Sequence, residues 1–442
     1  MLDANGFIVA KASRKIDKIA SAVRMLLRPV EFMTDEELMS IPAGSVFVFD
    51  VECYRNFIYV AFKCLANGKF VAFERSPDFD FPELKLRWML WRFCLVGFNS
   101  ASYDIPMVEL AAKGLSCNEL KEASDFIIKS GINYGTKKVT PFDIEKKYHI
   151  QIGKYNHIDL FNVCPVNGGV SANPASLKLY SGRLHAERMQ DLPFPETHIL
   201  TAEDAAIVRP YCCNDLGNTE LLFNELAPEL KLRMEMSEEY GLDLRSRSDA
   251  QIAEAVINSE LQKVLGYHPR KPTLSADLVL QYNAPDFISY RSQQLRDMFE
   301  VVKGARFYLD GLGSPIMPDE IDELKVKIGS SVYKLGMGGL HSTEKKTAHK
   351  ATDEIILADN DVESFYPRII LNQRLFPPHL GEAFLQVYNA IVETRIHAKS
   401  EAAKAKKAGD KAGAKRWKTI ADSLKITING SFGKLGNKYS TL

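Results

Sequence analysis

The first half of the chain alternates apolar and polar residues in the manner of β-strands and then takes up helical spacing. The alternation predicts three strands, at Ser45–Val51, Phe57–Lys63 and Phe70–Phe73. Helices and short strands follow in turn: helices over Pro82–Phe93 and Asp104–Lys113, strands over Cys94–Phe98 and near His157–Leu160. Three strands followed by alternating helix and strand predict an α/β sheet with helices on its faces.

The middle of the chain is predicted to be helical and then irregular. Thr201 is expected to cap a helix, and Pro210 suits the first turn of the following one. Residues 226–251 have a charged helical pattern. Residues 267–345 are rich in Pro and Gly, so we interpret them as a connection between domains.

The last hundred residues predict a strand and a helical hairpin. The apolar run Ile355–Asn360 is expected to form a strand that leads into Asp361. Two long helical stretches, 380–408 and 414–429, are separated by Gly409-Asp410 and Gly413. These breaks predict an antiparallel hairpin.

At 442 residues, the chain is too long for one compact core. We divide it into an N-terminal segment (residues 1–44), an α/β domain (45–230), a connecting region (231–345) and a C-terminal part (346–442). No apolar run approaches the length of a membrane span. The basic N-terminal segment lacks a secretory apolar core and is interpreted as a folded element or arm.

Charge and cysteine content narrow the function classes. The net charge is zero, which argues weakly against a nucleic-acid binder, but basic residues outnumber acidic ones between Arg395 and Lys438. That stretch is either a phosphate-binding face or a solvated helical hairpin.

The seven cysteines include no C-x-x-C pair, which predicts reduced, buried thiols in a cytoplasmic protein.

Three segments of the α/β domain carry acidic residues with the spacing of a metal site. Asp50 and Glu52 lie two apart on a strand and therefore project from the same face. Asp104 lies where a loop meets a helix, and Tyr211 and Asp215 lie one helical turn apart. Oxygen ligands favour Mg²⁺ or Mn²⁺, and two such ions catalyse phosphodiester hydrolysis. Each segment alone is a common pattern.

Together the three segments resemble the exonuclease motifs of proofreading DNA polymerases, whose 3′→5′ exonuclease domain is DnaQ-like and has an RNase H-like fold. The resemblance implies that two metal ions are bound by Asp50, Glu52, Asp104 and Asp215. It implies that Tyr211 orients the attacking water and that Asn99 positions substrate. Asp159 either supports the ligands or caps the end of a strand.

A second set of motifs resembles family B DNA polymerases, most closely those of bacteriophages. Asp361-Val-Glu-Ser-Phe-Tyr366-Pro resembles motif A of the polymerase palm. This implies that Asp361 binds both catalytic metals and that Tyr366 stacks under the sugar of the incoming nucleotide. If the segment stood alone, an edge strand that ends in a Tyr-Pro turn would be the favoured interpretation.

The segment that runs from Lys425 through Asn429 to Gly433 resembles motif B of the polymerase fingers. Its Gly430-Ser-Phe-Gly433 break is expected to end the helix. Gly430 departs from the family pattern, which usually has Ser. The resemblance implies that Lys425 contacts the triphosphate together with Arg395 and Lys399, and that Asn429 belongs to the same nucleotide site. Gly338 and Gly339 resemble the Gly-Gly motif that touches template DNA.

A second acidic strand, motif C, is expected after motif B, together with a thumb, and neither lies before Leu442. We therefore expect DNA synthesis only when a separate chain supplies them. The expected partners are primer-template DNA, single-stranded DNA, deoxynucleoside triphosphates (dNTPs) and that chain, in the cytoplasm. A split gene, an interrupted gene or a fragment would each explain the arrangement. The alternatives are a stand-alone DnaQ-like nuclease with a degenerate polymerase remnant and a non-catalytic DNA-binding subunit.

Overall fold

The computed structural model describes nine segments of the chain: residues 30–132, 139–164, 176–275, 277–310, 314–337, 339–346, 348–360, 364–435 and 440–442. The chain divides into two compact units, with the boundary between Ser248 and Asp249. The boundary predicted from the sequence lies earlier, after residue 230. The four-part division stays a prediction.

The first unit contains a five-stranded mixed sheet. Its strands are β1 (Val46–Tyr54), β2 (Phe57–Cys64), β3 (Phe70–Arg75), β4 (Cys94–Gly97) and β5 (His157–Asp159). Their order is β3-β2-β1-β4-β5. Strands β1, β2 and β3 pair antiparallel, whereas β4 runs parallel to both β1 and β5. The five strands predicted for this unit are confirmed, and the first three extend one to three residues beyond their predicted ends.

Helices cover both faces of this sheet, which confirms the α/β class. They are α1 (Asp35–Ser40), α2 (Glu83–Arg92), α3 (Asp104–Ala112), α4 (Cys117–Ile132), α5 (Pro141–Tyr148), α6 (Leu177–Arg183), α7 (Ala202–Glu225) and α8 (Ala227–Tyr240). One core joins Val48 of β1 to Val208 of α7. The other joins Phe47 of β1 to α2, α3 and α4. Alternation along β1 therefore sends neighbouring side chains into two separate cores.

Helix α7 is continuous, so the prediction that Pro210 opens a separate helix is wrong. The helix begins with a capping box, in which the Thr201 hydroxyl accepts the Asp204 N–H at 3.2 Å and the Asp204 carboxylate accepts the Thr201 N–H at 3.0 Å. Pro210 lies in the interior and removes one helical N–H donor. Apolar residues on both sides of it, such as Val208 and Leu216, are buried in the same core, which holds the helix together.

The second unit begins with helix α9 (Asp249–Leu265). Shorter elements follow this helix within the unit: β6 (Val279–Gln281), α10 (Gln293–Gly304), β7 (Arg306–Tyr308), α11 (Asp319–Asp322), β8 (Lys325–Ile328), β9 (Ser331–Gly336) and β10 (Gly339–Ser342). Strands β6 and β7 form a two-stranded sheet, and β8, β9 and β10 form a three-stranded one. The region interpreted as a connection therefore contains sheets of its own.

The C-terminal helices are α12 (Phe365–Asn372), α13 (Glu382–Lys407) and α14 (Lys411–Leu435). The predicted hairpin is confirmed. The Tyr388 hydroxyl of α13 donates to the Ile428 carbonyl of α14 at 3.5 Å, and the His397 and Trp417 rings lie 5.6 Å apart. These two pairs run in opposite directions along the chain, so the helices are antiparallel.

Two predictions about this part of the chain are wrong. Helix α14 begins before Gly413 and runs through the expected break at Gly430 and Gly433 to Leu435. Residues 355–360 form no strand, and Ile356 is 90% exposed. A strand needs a hydrogen-bonded neighbour, and no described strand pairs with this run. In the described part of the chain, no helix has both the length and the apolar character needed to cross a membrane.

Candidate metal centre

Strand β1 supplies the first two carboxylates of the candidate centre. Asp50 and Glu52 are half-buried, and the residues between and beside them, Phe49, Val51 and Cys53, are buried in the opposite core. Alternation along the strand therefore puts both carboxylates on the side of the sheet that α7 covers. This agrees with the geometry expected from their spacing.

A loop held by Asp159 brings Asp104 to the same strand. The Asp159 carboxylate accepts the backbone N–H groups of Asn99 at 2.8 Å, of Ala101 at 3.0 Å and of Phe161 at 3.0 Å. Asn99 has a φ of 59°, a left-handed conformation that Asn tolerates better than most residues. Asp104 follows as the first residue of α3 and is only 4% exposed. Asp159 thus shapes the loop that leads to this carboxylate.

Three further residues fix the shape of this loop. The Ser100 hydroxyl lies 2.8 Å from His157 Nε2. Burial lowers the pKa of His157 to about 4, so its imidazole is neutral at physiological pH. A Cβ at Gly97 would lie 2.5 Å from the side chain of Ser100, so only Gly allows the loop to pass this close. The loop is therefore held by buried polar contacts and by backbone proximity.

Helix α7 supplies the remaining members of the centre. Tyr211 and Asp215 lie one turn apart and share a side-chain hydrogen bond. Asn218, one turn further, has its amide nitrogen 3.5 Å from an Asp215 carboxylate oxygen. The Cys212 thiol is fully buried and donates to the Asp50 carbonyl at 3.9 Å.

Each of the four carboxylates has a raised pKa. Burial and the charges of Asp104 and Glu52 raise the pKa of Asp50 well above its ordinary value. Burial and the charges of Asp215 and Asp104 do the same for the pKa of Glu52. Burial raises the pKa of Asp104 to about 8 and that of Asp215 to about 6. The four groups thus form one electrostatic cluster in which full ionisation is unfavourable.

Lys178 of α6 offsets a part of this negative charge. Its charge lowers the pKa of Glu52 and of Asp215. It also pairs with Asp191 at 3.0 Å, so its charge is shared with a carboxylate outside the cluster. One shared lysine does not balance four carboxylates, and this deficit suits divalent cations.

A smaller trio within the cluster has metal-ligand spacing. One ligand atom each of Asp50, Glu52 and Cys212 lies within 4.8 Å of the others. The sequence pattern did not single out Cys212, because no metal-type cysteine spacing surrounds it. The available signal is its position beside Tyr211 on the helix that carries Asp215. The site therefore offers a sulfur atom next to its oxygen donors.

The second predicted set is only partly described. Asp361 and Gly338 lie outside the described residues. Tyr366 and Phe432 stack with their ring centroids 4.2 Å apart, which joins the motif A and motif B segments. Gly339 pairs with Gly336 at the start of β10, in a tight hairpin.

The polar residues predicted for the nucleotide site lie on the α13–α14 hairpin. Arg395 of α13 is half-buried, and its Nε atom is buried without a hydrogen-bond partner among the described residues. Lys399 of α13 is exposed, as are Lys425 and Asn429 of α14. Their side chains thus lie at the surface of the hairpin.

Comparison of the chain with protein-family models and with curated proteins gives no match.

Proposed function

We propose that the first unit is a metal-dependent 3′→5′ exonuclease that acts on DNA and has an RNase H-like, DnaQ-like fold. The sheet order β3-β2-β1-β4-β5, with one antiparallel half and one parallel half, supports this fold. The observation that carries the proposal is the cluster of four carboxylates, each with a raised pKa: Asp50, Glu52, Asp104 and Asp215.

The donor set fits divalent ions. Carboxylate oxygens whose negative charge is only partly neutralised match the preference of Mg²⁺ or Mn²⁺ for hard ligands. Asp50, Glu52, Asp104 and Asp215 would hold the ions. When bound, two such ions lower the pKa of a water and stabilise the charge on the leaving oxygen of the phosphodiester.

The remaining residues of the centre have roles that follow from their contacts. Burial and the charge of Asp215 raise the pKa of the Tyr211 phenol, so it stays protonated and can orient a water by hydrogen bonding. Asn99 lies on a loop whose backbone is held by the Asp159 carboxylate. Its side chain is therefore suited to contact the substrate. His157 is neutral and bound to Ser100, so its role is structural.

The experiment that tests this function follows the fate of each DNA end. Single-stranded DNA labelled at its 5′ end should shorten from the other end in steps when Mg²⁺ or Mn²⁺ is present. A non-hydrolysable 3′-terminal linkage should block the reaction, and EDTA should stop it. Shortening from the 5′ end, or activity that EDTA leaves intact, would contradict the proposal.

A second candidate function belongs to the second unit. The stacking of Tyr366 on Phe432 joins the two segments that resemble polymerase motifs A and B, and both rings are nearly half exposed. We infer that this unit binds a dNTP along the α13–α14 hairpin, as part of a family B DNA polymerase. DNA synthesis in company with a chain that supplies motif C stays part of this proposal.

Binding of dNTP separates this inference from its alternative. A stand-alone nuclease with a polymerase remnant would bind no dNTP through Lys425.

The cellular location that we propose is the cytoplasm. All seven cysteines are free thiols, which fits a reducing compartment.

A further inference from the structure

The three-stranded sheet of the second unit places basic residues directly opposite one another. Lys325 of β8 lies opposite Lys334 of β9, and Lys334 lies opposite His341 of β10. Directly opposite residues project from the same face of a sheet, with Cβ atoms about 4.5–5.5 Å apart. Lys327, two residues from Lys325, projects from that face as well. These four residues form a basic row that crosses all three strands.

The basic row lies on the solvent side of the sheet. Lys325, Lys327 and His341 are exposed, and Lys334 is partly exposed. Alternation directs Val326 to the opposite face, where it is only 2% exposed. The side chains of the basic row are therefore accessible to a partner molecule.

The positive charge of the row is mostly uncompensated. Within the described part of the chain, Lys334 is the one member that has an ion pair, with its Nζ atom 3.1 Å from a carboxylate oxygen of Asp322. Glu344, which follows β10, instead accepts a hydrogen bond from Ser331 on the opposite face of the sheet. Like charges that lie directly opposite each other destabilise a sheet. A bound anion would relieve the repulsion between Lys325 and Lys334.

Gly336 keeps the end of the row open. It lies two residues after Lys334, on the same face, and pairs with Gly339. A Cβ at Gly336 would lie 3.3 Å from the imidazole ring of His341, so the ring lies over a position without a side chain. Glycine in a strand often marks a place that another molecule approaches closely. Here it leaves room for His341 to donate a hydrogen bond to an anion.

We infer that this face of the sheet binds the phosphodiester backbone of single-stranded DNA. The cations are spread over three strands that lie about 4.7–4.9 Å apart, so a single small anion cannot contact all of them. A polyanion with regularly spaced charges can, and lysine is a common ligand for phosphate. The choice of DNA among polyanions rests on the proposed exonuclease function.

The shape of the surface favours a single strand over a duplex. Three paired strands form a broad surface, whereas protein elements that enter a DNA groove are a helix or a two-stranded ribbon. A flexible single strand can place successive phosphates on neighbouring strands of the sheet. The contacts are to phosphates, so binding should show little dependence on base sequence.

The test locates bound DNA by the chemical reactivity of lysines. It uses the full chain with Asp50→Ala and Glu52→Ala, so that hydrolysis does not consume the DNA. Surface lysines are acetylated with and without a short oligothymidylate, and mass spectrometry measures the rate at each lysine. The oligonucleotide should slow acetylation of Lys325 and Lys327. Lys263 on α9, which pairs with Glu260, should react at an unchanged rate.

Substitution of the two unpaired lysines measures their contribution to affinity. In the same background, Lys325→Gln with Lys327→Gln should reduce the slope of log affinity against log salt by about 1.4, since each phosphate contact on a single strand contributes about 0.7. The matched control, Lys263→Gln with Lys303→Gln, removes the same charge from lysines that pair with glutamates and should keep the slope. Loss of Lys325 also removes a repulsion, so the unfolding midpoint should not fall.

Three results would overturn the inference: unchanged acetylation of Lys325 and Lys327, equal salt slopes for the two double variants, or equal protection of these lysines by polyglutamate. Equal protection by a DNA duplex would contradict the choice of a single strand. The exonuclease proposal fails separately, because its readout is cleavage by the unsubstituted chain. Binding to the sheet is measured with the β1 carboxylates already removed.

Discussion

The Asp159 carboxylate accepts the backbone N–H of Asn99 at 2.8 Å, across 60 residues of sequence. Asn99 is in the left-handed conformation, and the loop that it opens ends at Asp104. A buried carboxylate on β5 therefore determines the path of a loop that carries another carboxylate. This relationship explains why Asp159 matters to the centre without a place among its proposed ligands.

Asp159→Ala should weaken both folding and hydrolysis, because it leaves buried N–H groups without an acceptor. We expect a loss of roughly 1–3 kcal/mol in the free energy of unfolding. We also expect a lower apparent affinity for Mg²⁺, since Asp104 is no longer held in place. Asp159→Asn keeps one acceptor oxygen, so it should lose less unfolding free energy and less Mg²⁺ affinity than Asp159→Ala. Chemical unfolding and metal titration of the nuclease rate measure the effects; equal metal affinity in Asp159→Ala and the unsubstituted chain would contradict them.

The contribution of Asp104 to the stability of the metal-free protein should fall as pH rises from about 4 to about 8. In that range the folded state holds protons on Asp104, whose pKa is raised to about 8, while the unfolded state has released them. Asp104→Asn removes this proton linkage. In EDTA, its unfolding midpoint should exceed that of the unsubstituted chain at pH 8 and approach it near pH 4.

Differential scanning calorimetry over this pH series provides the measurement. Addition of Mg²⁺ at pH 8 should stabilise the unsubstituted chain more than the Asp104→Asn variant, since the ion favours the ionised carboxylates. A midpoint for Asp104→Asn below that of the unsubstituted chain at pH 8 in EDTA would show that the carboxylates are not strained by their charges.

Gly430 is required by helix packing in the second unit. A Cβ there would lie 2.5 Å from the Asp249 carbonyl oxygen and 2.9 Å from the Ala253 Cβ of α9. Gly430→Ala should therefore cost about 1–3 kcal/mol in the free energy of unfolding. Gly433→Ala, three residues along the same helix, meets no described neighbour and should stabilise by about 0.5–1 kcal/mol. Urea unfolding compares the two; equal effects would contradict this packing.

Lys425 should dominate dNTP binding by the second unit. Lys425→Ala should weaken binding about 10- to 100-fold, as expected for the loss of a charged hydrogen bond to a phosphate. Combined substitution of Lys404, Lys406 and Lys407 by Ala should matter less, because these residues are exposed at the far end of α13. Fluorescence titration with a labelled dNTP gives the ranking, and the reverse order would mean that the hairpin binds phosphate elsewhere.

Local patterns predicted the sheet of the first unit and the same-face position of Asp50 and Glu52. The strands are short, strongly alternating and bounded by turns, so their periodicity is visible without tertiary information. The register that brings Asp159 to Asn99 is not visible in this way, because it depends on the parallel pairing of β4 with β5. Cys212 was missed for a similar reason: only the packing of α7 on β1 brings its thiol to Asp50.

Tertiary packing overrode local signals in three other places. Pro210 and Gly430 both favour helix breaks, yet each lies inside a helix whose buried face holds it together. The apolar run at 355–360 has strand composition but forms no strand, since strand formation depends on a partner. Such positions are decided by the neighbours that a segment meets.

The most direct test of the proposed exonuclease centre removes both carboxylates of β1. The chain with Asp50→Ala and Glu52→Ala should degrade 5′-labelled single-stranded DNA in Mg²⁺ more slowly than the unsubstituted chain by orders of magnitude, because the centre loses two metal ligands. Glu203 is an exposed carboxylate on α7, and its substitution Glu203→Ala should leave the rate unchanged. Full activity of the doubly substituted chain, with its fold intact, would contradict the assignment of this cluster as a metal-dependent nuclease site.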